Sequence, residues 1–228
     1  MLNEASRRQS SFDKNRSLSQ KDWQSNGKSE YLFIYFCIVR TKDETKIAAI
    51  YKATLSLVKE RGLAGITMGD ISKEASIATG TLYIYFKNKD ELIKALFSEC
   101  REKSAREYFA GIEQDASFDE KLQKVFTNIV HYKSKHFDVS AFLEQSYHSP
   151  FVCMTDLKKK QKALNPLFAL IEEGIEKKKI KNVEADLVLT YLFGIINEMV
   201  KKAYFSNKKL SPEVIGQVYG MFRDGIRG

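Results

Sequence analysis

Apolar residues recur at three- and four-residue spacing along most of this chain. Ile47, Ile50, Tyr51, Leu55 and Val58 repeat with the period of one helix face, so Asp43 to Arg61 predicts an amphipathic helix. Gly62 suits its C-terminal end, where a left-handed residue closes the last turn. Two shorter helical patterns fill Thr67 to Lys89, TMGDISKEASIATGTLYIYFKNK. Thr67 is a good N-cap for the first, with Asp70 as a weak stand-in for the capping-box acid. Ile71 and Ala75 share one face of it. Ser76-Ile77 interrupts, and a second short helix runs through Thr79, Leu82 and Tyr83. Leu82 and Phe86, four apart, face inward. Asn88 caps a longer helix to about Gly111, apolar at Leu92, Ala95, Leu96, Phe97 and Cys100.

The pattern continues to the end of the chain. Phe118 to His136 carries Leu122, Phe126, Ile129, Val130 and Lys133 in register. Phe137 to Pro150 follows, then Phe151 to Lys179, with a break expected near Asn165-Pro166 because proline restricts the residue before it. Val183 to Phe205 is strongly apolar. Ser211 to Ile226 opens with Ser211-Pro212-Glu213, proline at its first helical position. No internal repeat and no strand pattern interrupts this series. The expected fold class is all-α.

Two short helices around a tight turn make a helix-turn-helix, whose second helix fits the DNA major groove. The second helix has a suitable surface. Ala78, Thr79, Gly80 and Thr81 are small or carry hydroxyls, so the backbone can approach DNA closely. Tyr83 and Tyr85 offer phenols to phosphate oxygens. Lys89 sits in the first turn of the next helix, where a cation opposes the macrodipole and a nearby phosphate would account for it.

These residues carry a resemblance. Thr67, Ile71, Ala75, Gly80-Thr81-Leu82-Tyr83, Tyr85-Phe86 and Lys89 followed by Glu91-Leu92 resemble the N-terminal signature of the TetR/AcrR family of bacterial transcriptional regulators, over roughly Asp43 to Phe97. Two positions depart from its pattern. Ser76 stands where the family has a turn glycine, and Ala78 where a serine caps the recognition helix. The resemblance implies a three-helix DNA-binding head over 41–88 and a helical effector-binding and dimerisation domain over 89–228. It also implies a homodimer on a pseudo-palindromic DNA operator, a small hydrophobic effector, no cofactor, no metal and a cytoplasmic protein. Thr67, Met68, Thr79, Gly80, Thr81, Tyr83, Tyr85 and Lys89 are then the expected DNA contacts. Thr79, Gly80 and Thr81 would lie along base edges, and Gly69 has no side chain to read with.

The resemblance further implies a ligand cavity among the aromatic residues of the middle. Tyr132, Phe142, Tyr147, His148 and Phe168 are its candidates, with Glu144 and Gln145 as polar groups among them. An aromatic stripe at helical spacing is more often ordinary core. The last two helices correspond to the family's four-helix dimer bundle, which makes Tyr191, Ile195, Met199, Val218 and Phe222 the dimer candidates. Intramolecular core is the rival reading of those residues too.

Composition narrows the function classes. The net charge of +8 is spread along the chain, so it agrees with a nucleic-acid partner without identifying one. Cys37, Cys100 and Cys153 form no CxxC pair, and His131, His136 and His148 lack metal-ligand spacing. No nucleophile elbow, phosphate loop or metal spacing supports an enzyme. The rival within the same class is a DNA-binding dimer without a small-molecule effector, controlled by a protein partner.

Residues 1–40 differ from the rest. The first thirty are rich in Ser, Gln, Asn, Lys and Arg without periodicity, a disordered composition. Tyr31 to Val39 is nine consecutive apolar residues, too few for a membrane span. Three readings of the run stay open: an element docked on the body, a dimerising or anchoring segment, or upstream sequence translated from an early start codon. The last is slightly favoured, because TetR-like proteins begin only a few residues before their first helix.

Overall fold

The structure is a computed structural model that describes residues 43–113, 115–147, 149–152 and 166–228. The expectations for residues 1–40, and those for His148 and Cys153, lie outside the described residues. Nine helices and no strand appear among the described residues, as the periodicity predicts. They are α1 (43–61), α2 (Met68–Glu74), α3 (Thr79–Tyr85), α4 (Lys89–Tyr108), α5 (Phe118–Lys135), α6 (Phe137–Tyr147), α7 (Pro166–Glu176), α8 (Ala185–Phe205) and α9 (Pro212–Ile226). One isolated bridge joins Ile180 to Arg227. Residues 43–49 fall in a separate unit, and the packing described here lies within Ile50–Gly228.

Local chemistry sets most boundaries. Gly62, with φ +74°, closes α1. Ser117 and Glu120 form a capping box at α5, Asn88 caps α4 and Ser211 caps α9. The stretch 151–179 is expected as a helix with a break near Asn165-Pro166. Within it Phe151 and Val152 lie in a turn and a bend, and residues 153–165 lie outside the described residues. Helix α7 runs from Pro166, which as first helical residue suits proline, to Glu176.

Two apolar clusters hold the chain together. The head cluster contains Ile50, Leu57, Val58, Ile66, Ile71, Leu82 and Phe86. It continues past residue 88 through Leu92, Ile93, Leu96 and Phe97 of α4, and takes in Phe142 of α6. The two helix-turn-helix helices are seven residues each, too short to bury a core unaided, so α1, α4 and α6 complete it. The body cluster joins α5, α7, α8 and α9 around Phe126, Ile129, Ile171, Leu192, Ile196 and Phe222. Gly174 is required there, since a Cβ would lie 2.5 Å from Phe118 Cζ and 2.8 Å from Ile180 Cδ1.

Candidate functional site

The helix-turn-helix is built by reciprocal caps. The Asp70 amide donates to Thr67 Oγ1 at 3.1 Å, and the Thr67 amide donates to Asp70 Oδ2 at 2.9 Å. The Thr67 hydroxyl donates to the same carboxylate at 2.6 Å. These bonds, with Arg61 at 3.6 Å, hold the Asp70 carboxyl below its ordinary pKa. At the other end of α2 the Ser76 amide donates to the Lys73 carbonyl and the Ile77 amide to the Ser72 carbonyl. That pair of bonds is the Schellman closure. It puts Ser76 at φ +55°, where glycine is the cheap choice. Ala78 gives α3 no side-chain cap. Thr79 does not replace it, because its hydroxyl pairs with Ser72 Oγ at 2.8 Å across the turn.

Helix α3 rests on one buried residue, Leu82. Tyr85 packs against the head cluster and Thr79 bonds Ser72, while the outer face is open. Tyr83 is 50% exposed and Ile84 80% exposed. Thr79 and Gly80 are exposed, Thr81 and Tyr85 half-buried, and a Cβ on Gly80 would meet nothing within 4 Å. Ile84 is a surface residue that the sequence-derived candidates omit. A signal for it exists: an isoleucine out of phase with the inward pair Leu82 and Phe86.

Three expected DNA contacts sit differently from a free surface group. Met68 is 8% exposed and belongs to the head cluster, because it lies one turn before Ile71 on the inward face. Its side chain packs into the head rather than standing on the surface. Thr67 is exposed, yet its hydroxyl serves the cap. Lys89 donates to the carbonyls of Leu63 and Ile66, both at 2.7 Å, and its ammonium lies 5.5 Å from the Phe151 ring centroid. Partial burial lowers its pKa. Two of its three donors are thus committed to the loop between α1 and α2.

The aromatic candidates of the middle do not come together. Tyr132 packs edge-on against Tyr108 at 5.7 Å in the body cluster, where Phe168 also packs. Phe142 is fully buried in the head cluster, and Tyr147 meets Phe97 edge-on at 5.8 Å. They serve two packed cores. A different cleft, of about 250 Å³, lies between α1, α5, α6 and α8. Lys59, Lys133, Glu144, Gln145 and Lys201 supply its polar lining; Phe137, Ala141, Val200 and Phe205 supply the apolar part. Lys201 pairs with Glu144 at 2.9 Å and Glu198 at 2.6 Å. Gln145 reaches out of the body, its Oε1 accepting from the Leu63 amide at 2.8 Å.

The dimer candidates divide between two faces. Tyr191 is exposed, and Ile195, Met199 and Val218 are half-buried. Phe222 is 0% exposed, with ring centroids 5.7 Å from Phe126 and 5.6 Å from Tyr191. It is core, on the same inward stripe of α9 as Ile215, Tyr219 and Ile226. The outward stripes hold residues that the sequence-derived dimer candidates omit: Leu187 at 59% and Met221 at 70% exposure, with Val214 beside them.

Among the described residues no cluster of His, Cys, Asp or Glu could hold a metal ion. Burial pushes the Cys100 thiol up to about 12, far from a nucleophile's range. No described helix is long and apolar enough to cross a membrane.

Residues 50–96 match the family described as "Bacterial regulatory proteins, tetR family". The chain is 28% identical over 177 residues to the fatty acid metabolism regulator protein of Bacillus subtilis strain 168, covering 72% of this chain and 86% of that one. A TetR family transcription regulator from Marinobacter aquaeolei VT8 superposes with a TM-score of 0.76 at 21% identity, over 82% of this chain and 98% of the other. The transcriptional regulator FadR from Bacillus subtilis, solved in complex with stearoyl-CoA, superposes with a TM-score of 0.62 at 24% identity, over 79% and 99%.

Proposed function

We propose that this TetR-family transcriptional regulator, identified as such by its residues 50–96, works as a homodimeric repressor released from a pseudo-palindromic operator by a small hydrophobic effector. The observation that carries the DNA-binding part is the outer face of α3, where Gly80, Tyr83 and Ile84 stand clear of a helix anchored by Leu82. A side chain that packs against nothing in its own protein is free to meet a base edge or phosphate. The Ile84 side chain and the Thr79 methyl suit the thymine methyl group, and the Tyr83 hydroxyl suits a phosphate. Lys89 contributes by fixing the loop before α2, with its remaining proton turned to a phosphate.

Two recognition helices must enter successive major grooves about 34–36 Å apart. A two-fold dimer supplies that spacing. The exposed stripes of α8 (Leu187, Tyr191) and α9 (Val214, Met221) are the apolar surface that a second copy would cover. The effector is assigned to the acyl class from the likeness to a fatty acid metabolism regulator and to a protein solved with stearoyl-CoA. An effector moves the heads only by favouring one spacing over the other.

Selection of operator DNA from random duplexes, followed by fluorescence anisotropy over a salt series, tests this reading. A two-fold-symmetric winning sequence bound at least about a hundredfold tighter than scrambled DNA is the expected result. Tyr83→Phe should weaken binding to all sequences alike, and Ile84→Ala should relax preference at one base pair of each half-site. Equal, weak binding to every duplex would overturn the reading.

A further inference from the structure

Lys133 is 6% exposed and yet lines the cleft between α1, α5, α6 and α8. Among the described residues no carbonyl or carboxylate hydrogen-bonds its ammonium. Its partial compensation is the Phe193 ring, 5.5 Å away. Glu144, the acid whose charge acts on it, is already paired with Lys201. A cation held mostly out of water, beside an acid already committed to another lysine, is costly, and the cleft it lines is where an anion from outside would offset that cost.

We propose that this cleft binds the oxyanion of an organic ligand, held by Lys133 with Lys59 and Lys201 at its rim, and that Gln145 carries its presence to the head. The lining is amphiphilic. Phe137, Ala141, Val200 and Phe205 face the same space as the three lysines. A volume of about 250 Å³ holds an anionic group and a short run of carbons, since it corresponds to roughly eight waters. The anion would compete with Glu144 for Lys201, and Glu144 adjoins Gln145 on α6. Gln145 holds the Leu63 amide, and Lys89 holds the Leu63 carbonyl. A displacement of α6 at these two residues therefore reaches the loop that precedes α2. The proposal rests on the reading that a ligand in the body controls the head, and it adds the ligand's charge and the residue that meets it.

Carboxylate and phosphate share this chemistry, and both occur in the acyl class: the carboxylate of a free fatty acid and the phosphates of an acyl-CoA. Calorimetry on the full chain at pH 7, without DNA, separates them. Decanoate, decanoyl-CoA and decanol are the probes. The expected result is binding of at least one anion that weakens tenfold or more in Lys133→Met, with decanol indifferent to the substitution. Dependence on Lys133 for decanoate alone assigns a carboxylate; for decanoyl-CoA alone, a phosphate. Met is close to Lys in length and removes the charge. An independent reporter, the substitution Phe205→Trp at the exposed edge of the cleft, should change its indole emission with the same anion in a chain that keeps Lys133. Failure of both anions to bind the unaltered chain would overturn the proposal. So would equal affinity in Lys133→Met, or an unchanged indole emission at saturating anion. Because no DNA is present, loss of this site and loss of operator binding are separate results.

Discussion

Gln145 Oε1 accepts a 2.8 Å hydrogen bond from the amide of Leu63, a residue 82 positions earlier in the chain. The bond ties α6 to the loop between α1 and the helix-turn-helix. The same residue, Leu63, gives its carbonyl to Lys89. The loop is thus gripped from the body on one side and from the start of α4 on the other. Gln145→Ala should cost about 1 kcal/mol of stability, the usual worth of one such bond. Operator affinity should stay within about threefold, while release by the effector falls by roughly an order of magnitude, a coupling of ordinary size. Anisotropy with and without effector checks both numbers. An undiminished response would show that the head is moved by another route.

Ser76 holds a left-handed backbone in the Schellman closure of α2. A β-carbon in that region costs about 1–2 kcal/mol, partly offset by the extra chain entropy that glycine loses on folding. Ser76→Gly should stabilise the protein by about 0.5–1 kcal/mol. Ala78→Ser, which restores a side-chain acceptor at the N-cap of α3, should add a similar amount. Urea unfolding would show both as a raised midpoint at constant slope.

Leu187 and Phe222 lie on opposite faces of the last helical pair and should behave oppositely. Phe222→Ala removes a fully buried ring, which costs about 3–5 kcal/mol, and thermal unfolding reports the loss. Leu187→Glu places a charge on an exposed stripe, so the fold should keep its melting temperature at low protein concentration. If the proposed dimer forms through this stripe, sedimentation should show a dimer for the unaltered chain and monomers for the variant.

Lys133 gives a stability signature with a definite sign. Burial lowers its pKa from 10.5 to about 8, and the charge of Glu144 opposes that shift. Lys59, Lys201 and Glu144 are the charged groups that share its cleft. Below pH 8 the lysine is protonated in both folded and unfolded chains, and the cost of burying the charge is fully present. Between pH 8 and 10.5 the unfolded chain holds more protons, so stability rises with pH by about 3 kcal/mol from this group. The advantage of Lys133→Met over the unaltered chain should be largest near neutral pH and shrink by that amount as the pH passes 10.5. A difference flat across the window would mean that Lys133 titrates like a surface lysine.

The head is legible in the sequence because its determinants are local. Thr67 and Asp70 are three residues apart, Leu82 and Phe86 four, and Gly62 lies directly after its helix. The clefts and faces of the body are not, because they depend on which helix packs on which. Lys133 sits in register with Ile129 and Val130, and the pattern correctly puts it inward. Nothing within α5 says that the acid beside it, Glu144, is already paired with Lys201. Tyr132 and Phe142 look alike as aromatic residues on neighbouring helices, yet they feed separate cores. Helices α8 and α9 are apolar on two sides. Periodicity finds both stripes but does not tell the one buried in its own chain, with Phe222, from the one left outside, with Leu187. The partners of Lys89 escape the sequence for a related reason, since its acceptors, the carbonyls of Leu63 and Ile66, are backbone atoms that no side-chain pattern displays.

Helix α3 is packed onto the protein through Leu82 and Tyr85, and the space beside Gly80 is empty. On the proposed reading, folding and DNA contact fall to different residues within the same seven-residue segment. Substitutions at Gly80, Tyr83 and Ile84 alter what the helix presents without disturbing what holds it, whereas Thr79 also bonds Ser72 across the turn. On that reading, a lineage carrying this head drifts to new target genes through changes that leave its stability almost untouched, and a library varied at those three positions should remain folded throughout.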